Sequence, residues 1–183
     1  MANALKTPLC AQLGIDYPIF GFAHSTDVVS AVSQCGGLGV FGGTRNTPDE
    51  ITAAMATVRA GAGRRRIGLD LVLPKGMPQT EDREAIEAGI PDGHREFVAG
   101  IWKKYDVPPP SAPGKRSRFV RSEEVAALQV EAALATDVDL FACGIGAPRE
   151  VVARAKALGK TPVALVGSRR HALAALEVGV DLL

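Results

Sequence analysis

Two side chains that can exchange protons lie at or near the ends of short apolar runs. His24 follows the run at 18–22, and Asp70 lies inside the run at 67–73. An imidazole titrates near neutral pH, and a carboxylate inside an apolar strand needs a partner or a polar ligand. If both runs are parallel strands, their C-terminal ends share the edge of the sheet where α/β folds place their chemistry. His24 is therefore a candidate catalytic base, although a solvated or capping histidine fits the same position, and Asp70 is a candidate ligand contact.

Two glycine-containing segments could bind an anion. Gly167 and Ser168 follow an apolar run and precede a helical pattern, so their backbone amides could bind an anion, although helix capping alone also accounts for them. The segment GLGVFG at 37–42 matches the G-x-G-x-x-G pattern of dinucleotide-binding loops. That motif follows a strand and opens a helix, whereas this segment follows a helix and enters a strand. We therefore interpret its glycines as a helix stop and a backbone turn.

The elements that position these residues alternate between strands and helices. Residues 17–43, YPIFGFAHSTDVVSAVSQCGGLGVFGG, predict a strand, a helix ending at glycine and a second strand. Thr47, Pro48 and Glu50 predict a capping box at the start of the next helix. Apolar runs bounded by Gly or Pro predict strands at 18–22, 38–41, 67–73, 139–145 and 161–166, and the start of a sixth at 180–183.

Apolar spacing predicts which helix faces are buried. The predicted buried sets, in chain order, are Val28, Val32 and Cys35; Ile51, Met55 and Val58; Val151, Val152, Ala155 and Leu158; and Leu173 and Leu176. The three cysteines, Cys10, Cys35 and Cys143, are odd in number and widely spaced. This pattern indicates buried free thiols rather than a disulfide framework or a metal site.

Residues 75–121 interrupt the alternation. They are rich in Pro, Gly and charge, with a predicted helix at 94–105 and a predicted loop at 106–118. Excursions of this length are typical of a lid or another functional insertion. Trp102 and Tyr105 share one face of the predicted helix, so we expect them to pack over the mouth of the main fold.

Five strand-helix units fit either a doubly wound sheet or a β/α barrel, and periodicity alone does not choose between them. A complete barrel needs about 250 residues, whereas this chain has 183. If the fold is a barrel, it is therefore an incomplete one. We expect one domain over 1–183, with 75–121 as its insertion or lid.

Composition argues against several classes of partner. The formal net charge is +1, from 21 basic and 20 acidic residues, so no excess charge favours nucleic acid or an anionic membrane. No apolar run approaches the roughly 20 residues that span a bilayer, and the N-terminus lacks the apolar region of a signal peptide. We expect a soluble, cytoplasmic protein.

The run LGIDYPIF followed by AVSQCGGLGVFGG resembles the N-terminal signature of the nitronate monooxygenase family, also called 2-nitropropane dioxygenases. The later segments IGLDLVLP, DLFACGIGAPREVVARAKALGKTPVALVGS and ALAALEVGVDLL resemble that family in the same order. The resemblance implies an incomplete TIM-type (β/α) barrel with about five βα units, the start of a sixth strand and the insertion at 75–121. It also implies a flavoprotein, an FMN-dependent oxidoreductase that oxidises alkyl nitronates with dioxygen.

With a flavin implied by the resemblance, the residues at the strand ends become candidate site residues. By its position, His24 would be the catalytic residue, since the family's own His would follow Leu183. The FMN contacts would be Phe22, Ala23, His24, Asp70, Gly167 and Ser168. Three positions differ from the usual family pattern. Phe22, Ala23 and His24 replace an Ala-Pro-Met turn, Asp70 replaces a common Asn, and Gly144 replaces a His or Thr.

Two alternatives to a nitronate monooxygenase remain open: a related flavin barrel, such as an enoyl reductase that uses NADPH, and a non-catalytic half-barrel. The family's Gly-Gly-His segment and phosphate-binding glycines would follow the last residue, Leu183. We therefore expect residues 1–183 alone to bind FMN weakly and to oxidise nitronates negligibly. An open sheet edge predicts that this chain is a homo-oligomer or poorly soluble alone.

Overall fold

The computed structural model describes residues 5–109, 111 and 120–183. Most of the predicted loop at 106–118 lies outside these residues. The strands are Phe20–Ala23 (β1), Leu38–Gly42 (β2), Ile67–Val72 (β3), Leu140–Gly144 (β4) and Thr161–Leu165 (β5). The helices are Pro8–Leu13 (α1), Thr26–Gln34 (α2), Pro48–Ala62 (α3), Arg83–Ala88 (α4), Asp92–Lys104 (α5), Glu123–Ala135 (α6), Arg149–Ala157 (α7) and Arg169–Val178 (α8).

The five strands form one parallel sheet in sequential order, β1-β2-β3-β4-β5. A doubly wound sheet reverses its strand order at a switch point, whereas a β/α barrel adds each strand on the same side. Leu182 continues the series through a parallel bridge to Val163, where the predicted sixth strand begins. The fold is therefore an incomplete β/α barrel, as the sequence predicted.

The sheet buries a different apolar cluster on each face, because side chains alternate along a strand. The helix-facing cluster includes Phe41, Leu69, Leu71, Phe141 and Cys143, packed with α2, α3 and α6. On the opposite, interior face, Leu38, Val40, Leu140 and Ala142 pack with Cys10, Leu13 and Ile15 of the N-terminal segment. The sequence analysis did not predict α1, whose six residues are too few to show a helical period.

The interior face is open toward the sheet margins. Phe22 on β1 is 55% exposed and Leu165 on β5 is 56% exposed, although both are large apolar side chains. Phe22 lies on this face because its neighbour Gly21 faces Val32 of α2. The part of the sheet that a closed barrel would enclose is thus accessible at both edges.

Helix α3 forms as the capping signal predicts. Thr47 Oγ1 accepts a hydrogen bond from Glu50 N at 3.3 Å, and Thr47 N donates to Glu50 Oε2 at 3.0 Å. Pro48 occupies the first turn, where its missing N–H costs nothing. The predicted face of Ile51, Met55 and Val58 is fully buried.

Helix α2 buries a face that the apolar pattern did not predict. Val28 is 49% exposed and Cys35 is exposed, so the predicted face and the buried Cys35 thiol are wrong, whereas Cys10 and Cys143 are buried as expected. The buried residues are Val29, Ser30 and Ser33.

The two buried serines fit the core because their hydroxyls are hydrogen-bonded to backbone. Ser33 Oγ donates to Arg66 O at 2.8 Å and accepts from Gly39 N at 3.0 Å, and Ser30 Oγ donates to Thr26 O at 2.8 Å. At Gly39 an added Cβ would lie 2.0 Å from Val29 O, so the helix approaches β2 more closely than any larger residue allows.

The last helices bury smaller residues than predicted. Val152 and Ala155 of α7 are buried, but Leu158 is exposed because α7 ends at Ala157. On α8 the predicted Leu173 and Leu176 are exposed, and the buried residue is Ala175. Beyond β5 the sheet continues only as one bridge among the described residues, so α8 has little sheet to cover. Its packing is limited to a small cluster with Val152, Ala164 and Val180.

The described residues within 78–125 form a second compact unit, distinct from the unit of residues 5–77 and 126–183. Helix α5 covers the predicted helix except its last residue, and Ser122 Oγ caps α6 by accepting a hydrogen bond from Val125 N at 3.2 Å. Trp102 and Tyr105 are both exposed. Their packing over the barrel mouth stays a prediction. In the described parts of both units, no helix is long and apolar enough to cross a membrane.

Candidate functional site

His24 and Asp70 lie at the same end of the sheet. His24 follows β1, whose last residue, Ala23, pairs with Phe41 on β2. The next residue on β2, Gly42, pairs with Asp70 on β3. This end is formed by the carboxyl ends of the strands, where β/α barrels carry their active sites. The register therefore brings the two candidate side chains to one region, as predicted.

The ring of His24 is oriented by the backbone of β2. Its Nδ1 lies 3.0 Å from Gly42 O. A carbonyl oxygen has no proton to give, so Nδ1 carries the hydrogen and donates it. The neutral ring then has its lone pair on Nε2, where it can accept a proton from a ligand. The Phe22 ring packs edge-on against the imidazole, with centroids 5.2 Å apart and an interplanar angle of 81°.

Asp70 is a buried carboxyl with an unused acceptor. The residue is 5% exposed, and Oδ1 is buried without a hydrogen-bond partner in the described structure. Burial raises the pKa of Asp70 to about 6, and the nearby imidazole of His24 opposes that shift. A buried polar atom without a partner is uncommon and calls for a ligand, a water molecule or a functional reason. Asp70 can therefore exchange between acid and carboxylate close to neutral pH.

Glycines on both neighbouring strands leave space beside Asp70. A Cβ at Gly42 would lie 2.6 Å from Phe22 Cζ and 2.7 Å from His24 Cε1. A Cβ at Gly144 would lie 3.7 Å from Asp70 Oδ1. The sequence analysis interpreted Gly42 as a turn residue and missed that it makes room for the His24 ring. Nothing in the residues next to Gly42 in the sequence indicates that role.

The loop after β2 is held beside the site by hydrogen bonds with β3 and α6. Gly43 N donates to Asp70 O at 3.0 Å, and Val72 N donates to Thr44 Oγ1 at 2.9 Å. Gln129 of α6 is fully buried, and its Nε2 donates to Thr44 O at 3.0 Å and Asn46 O at 2.7 Å. Sequence reasoning missed Gln129, and the one available signal was a long polar residue within an apolar helix.

Cys143 is adjacent to this region but is unsuited to nucleophilic chemistry. Burial raises the pKa of its thiol to about 12, and the Asp70 carboxylate adds to the effect. The side chain belongs to the helix-facing cluster. A thiol is nucleophilic as its thiolate, so Cys143 serves packing.

The remaining predicted residues are less closely associated with His24. Ala23 packs against the helix-facing cluster. Ser168 caps α8, since its Oγ accepts from His171 N at 3.2 Å, and Gly167 has open space on its Cβ side. No hydrogen bond or ring contact among the described residues joins Gly167 or Ser168 to His24 or Asp70. The structure thus brings together Phe22, His24 and Asp70 and leaves the β5 pair at the same sheet end without a contact to them.

A cavity at the opposite end of the sheet differs from the candidate site. It measures about 130 Å³ and is lined by residues near the strand N-termini, including Gln12, Leu38, Arg66 and Asp139. That end of a β/α barrel serves stability rather than chemistry. Among the described residues, no group of three or more His, Cys, Asp or Glu side chains could hold a metal ion.

Comparison with known proteins identifies relatives over almost the whole chain. A family model described as nitronate monooxygenase matches residues 6–183. Rv1533 of Mycobacterium tuberculosis, whose name describes it as a monooxygenase, is 30% identical over 193 aligned residues, which include 98% of this chain and 50% of that protein.

Two solved structures share the fold. Nitroalkane oxidase from Streptomyces ansochromogenes superposes with a TM-score of 0.67 at 22% identity, over 96% of this chain and 47% of that one. FabK from Thermotoga maritima superposes with a TM-score of 0.65 at 18% identity, over 98% of this chain and 43% of that one. The chain therefore spans about half the length of these relatives. At these identities, the two solved structures establish the fold alone.

Proposed function

The chain belongs to the nitronate monooxygenase family, and from this premise we propose that the whole protein is an FMN-dependent oxidoreductase that oxidises alkyl nitronates with dioxygen. One observation carries the proposal to this chain. At the carboxyl ends of the strands, the buried Asp70 has an unpartnered oxygen and lies close enough to His24 for the imidazole to affect its pKa. A buried acceptor at the catalytic end of a β/α barrel is suited to a polar ligand.

The residues at this end fit a flavin in three respects. The ring system of a flavin has a flat face and an edge of N–H and C=O groups, for which Phe22 and Asp70 offer an exposed aromatic ring and an unpaired carboxyl oxygen. Ala23 would add backbone next to the ring. Gly167 and Ser168 precede α8, a ten-residue helix whose N-terminal amides can bind a phosphate.

The protein groups would bind and orient the reactants. The redox chemistry is supplied by FMN when it is bound, because the side chains at this site have no means of passing electrons from a nitronate to dioxygen. His24 is held by Gly42 O so that Nε2 can accept a proton from the substrate. Phe22 contacts the imidazole in a T-shaped arrangement and so helps to orient the ring.

The direct test is turnover by the purified whole protein, because residues 1–183 alone are expected to bind FMN weakly. Visible absorbance after purification reports bound flavin, and oxygen uptake with an alkyl nitronate and added FMN reports the proposed reaction. We expect oxygen uptake that depends on the nitronate. Consumption of NADPH without nitronate-dependent oxygen uptake would instead identify a flavin reductase. Absence of both flavin binding and turnover would favour a non-catalytic half-barrel.

The role of His24 requires a matched pair of variants. We expect His24→Ala to lower kcat by about 100-fold, the usual contribution of a general base. His94→Ala removes an exposed histidine from the second unit and should leave turnover unchanged. Equal activity of the two variants would remove His24 from the mechanism without affecting the choice of cofactor.

A further inference from the structure

The Asp70 carboxyl is buried at the centre of the candidate site without a donor to stabilise its charge. We propose that Asp70 binds the flavin ring as the neutral carboxylic acid, so that the protein takes up a proton when flavin binds. This inference rests on the proposed function, because it names the protonation state in which the same site holds its cofactor. It makes flavin affinity depend on pH through a residue of this chain.

The surroundings of Asp70 are built for a neutral group. Carboxylates that stay ionised inside proteins accept hydrogen bonds from backbone amides or pair with cations. Asp70 Oδ1 accepts none in the described structure, and the paired residues on the two neighbouring strands are Gly42 and Ala142, which have no polar side chains. The next interior position on β4 is Gly144, which adds space and no donor.

Two titratable groups lie near Asp70, and one of them, His24, shifts its pKa. His24, after β1, favours the carboxylate. Cys143, on β4, has a thiol whose pKa burial and the Asp70 carboxylate raise to about 12, so it stays neutral. Between them β2 contributes only glycine next to Asp70. Burial outweighs His24 and leaves the pKa of Asp70 near 6. A ring that covers the carboxyl would remove its remaining contact with water and favour the neutral form further.

The neutral acid also matches the ligand better than the anion does. A carboxylic acid offers one O–H donor and one carbonyl acceptor, the same pair that an asparagine amide presents. The edge of a flavin ring carries adjacent N–H and C=O groups, so the acid can make both bonds. An anion offers acceptors alone and would repel the carbonyl oxygen.

The test measures flavin affinity against pH. Quenching of flavin fluorescence gives the dissociation constant of the whole protein from about pH 5.5 to about pH 8, a range that brackets the pKa of about 6. The variants are Asp70→Asn, which keeps a donor and an acceptor, and Asp70→Leu, which keeps neither. Glu177→Gln removes an exposed carboxylate on α8 and controls for net charge. Circular dichroism confirms that each variant is folded.

Riboflavin is the second probe, because the phosphate of FMN has its own pKa near 6. Riboflavin lacks that group, so a pH dependence that it shares with FMN belongs to the protein. Calorimetry in two buffers with different ionisation enthalpies counts the protons taken up on binding. This measurement does not depend on catalytic turnover.

We expect the dissociation constant of the wild type and of Glu177→Gln to rise about tenfold per pH unit above the pKa of Asp70. Asp70→Asn should bind with an affinity that is independent of pH for riboflavin, and Asp70→Leu should bind weakly throughout. Calorimetry should show about one proton taken up per flavin near neutral pH in the wild type and none in Asp70→Asn.

Two results would overturn the inference alone. Flavin binding that tightens as pH rises would mean that the carboxylate is the bound form, and equal pH dependence in the wild type and Asp70→Asn would mean that another group titrates. Absence of flavin binding at every pH would overturn the proposed function together with this inference.

Discussion

Two aspartates at opposite ends of the sheet differ in their hydrogen bonds and in the direction of their pKa shifts. Asp139 precedes β4 and accepts hydrogen bonds from Arg59 Nη2 at 3.1 Å, from Ile67 N at 3.0 Å and from Arg66 Nη1. Burial alone would raise the pKa of Asp139, but these donors hold it below its ordinary value. Asp70 accepts no bond on Oδ1, and its pKa is raised. The same residue type is therefore a structural anchor at one end and an unsatisfied group at the other.

The surroundings extend this contrast. At the N-terminal end, Lys160 Nζ donates to Thr136 O at 2.7 Å and Val138 O at 3.2 Å, so polar groups there are paired within the protein. At the C-terminal end, Phe22 and His24 are exposed. β/α barrels place stability at the first end and chemistry at the second. The difference teaches that unsatisfied polarity, rather than polarity itself, marks the candidate site.

The largest effect on stability should come from removing Asp139 at the N-terminal end of the strands, where the polar groups are paired. Asp139→Ala removes the carboxylate that Arg59 and Arg66 share and leaves Ile67 N without its acceptor. We expect the free energy of unfolding to fall by about 3 kcal/mol, since the partly buried Asp139 carboxylate accepts three hydrogen bonds, all of which are lost. Urea denaturation measures the loss.

Asp137→Ala is the matched control for this substitution. Asp137 pairs with the same Arg59, at 3.0 Å, but its side chain is 83% exposed. Exposed ion pairs contribute little, so its removal should be close to neutral. Similar losses for Asp137→Ala and Asp139→Ala would contradict the view that Asp139 anchors this end.

Replacing Asp70 should instead raise the stability, by at most a similar amount. The pKa of Asp70 rises on folding from its ordinary value of 3.8 to about 6. This shift corresponds to about 3 kcal/mol at most, because one pKa unit is equivalent to about 1.4 kcal/mol. The folded state binds more protons between these values, so the wild type loses stability as pH rises from about 4 to about 6. Asp70→Asn has no such proton, so it should be the more stable protein at about pH 8.

Urea denaturation of both proteins across this pH range measures the effect at Asp70. The difference in free energy between Asp70→Asn and the wild type should grow with pH and level off above the pKa of Asp70. A wild type that is as stable as Asp70→Asn at every pH would show that Asp70 has a partner and that the two ends are alike.

A smaller effect on stability, but a clear one on binding, is expected at Gly42. The added methyl of Gly42→Ala would meet Phe22 Cζ at 2.6 Å and His24 Cε1 at 2.7 Å, so both exposed rings must move. We expect a loss of about 1 kcal/mol in stability, together with at least about tenfold weaker flavin binding. Gly93→Ala, where the added methyl meets no atom within 4 Å, is the control. Unchanged flavin affinity in Gly42→Ala would remove the His24 ring from the site.

Local signals in the sequence predicted the elements better than the contacts between them. The capping box at Thr47 and the burial of Ile51 depend on residues a few positions apart, and both were confirmed. The buried face of α2 was mispredicted, because Ser33 is accepted in the core only through bonds to Arg66 and Gly39, which are distant in sequence or belong to the next strand.

The site shows the same limit. The position of Asp70 in an apolar run indicated an unusual carboxyl, and the register confirms that it shares a sheet end with His24. The bond from His24 to Gly42 and the clamp from Gln129 to Thr44 cross between elements, so no local pattern could have indicated them.

The contrast between the two ends is tested most directly by amide hydrogen exchange with and without FMN. We expect added protection at 42–46 and 70–72, around His24 and Asp70, and unchanged exchange at 12–15 and 137–139, where the polar groups are already paired. Protection confined to 12–15 and 137–139 would place the ligand at the N-terminal end of the strands and contradict the account.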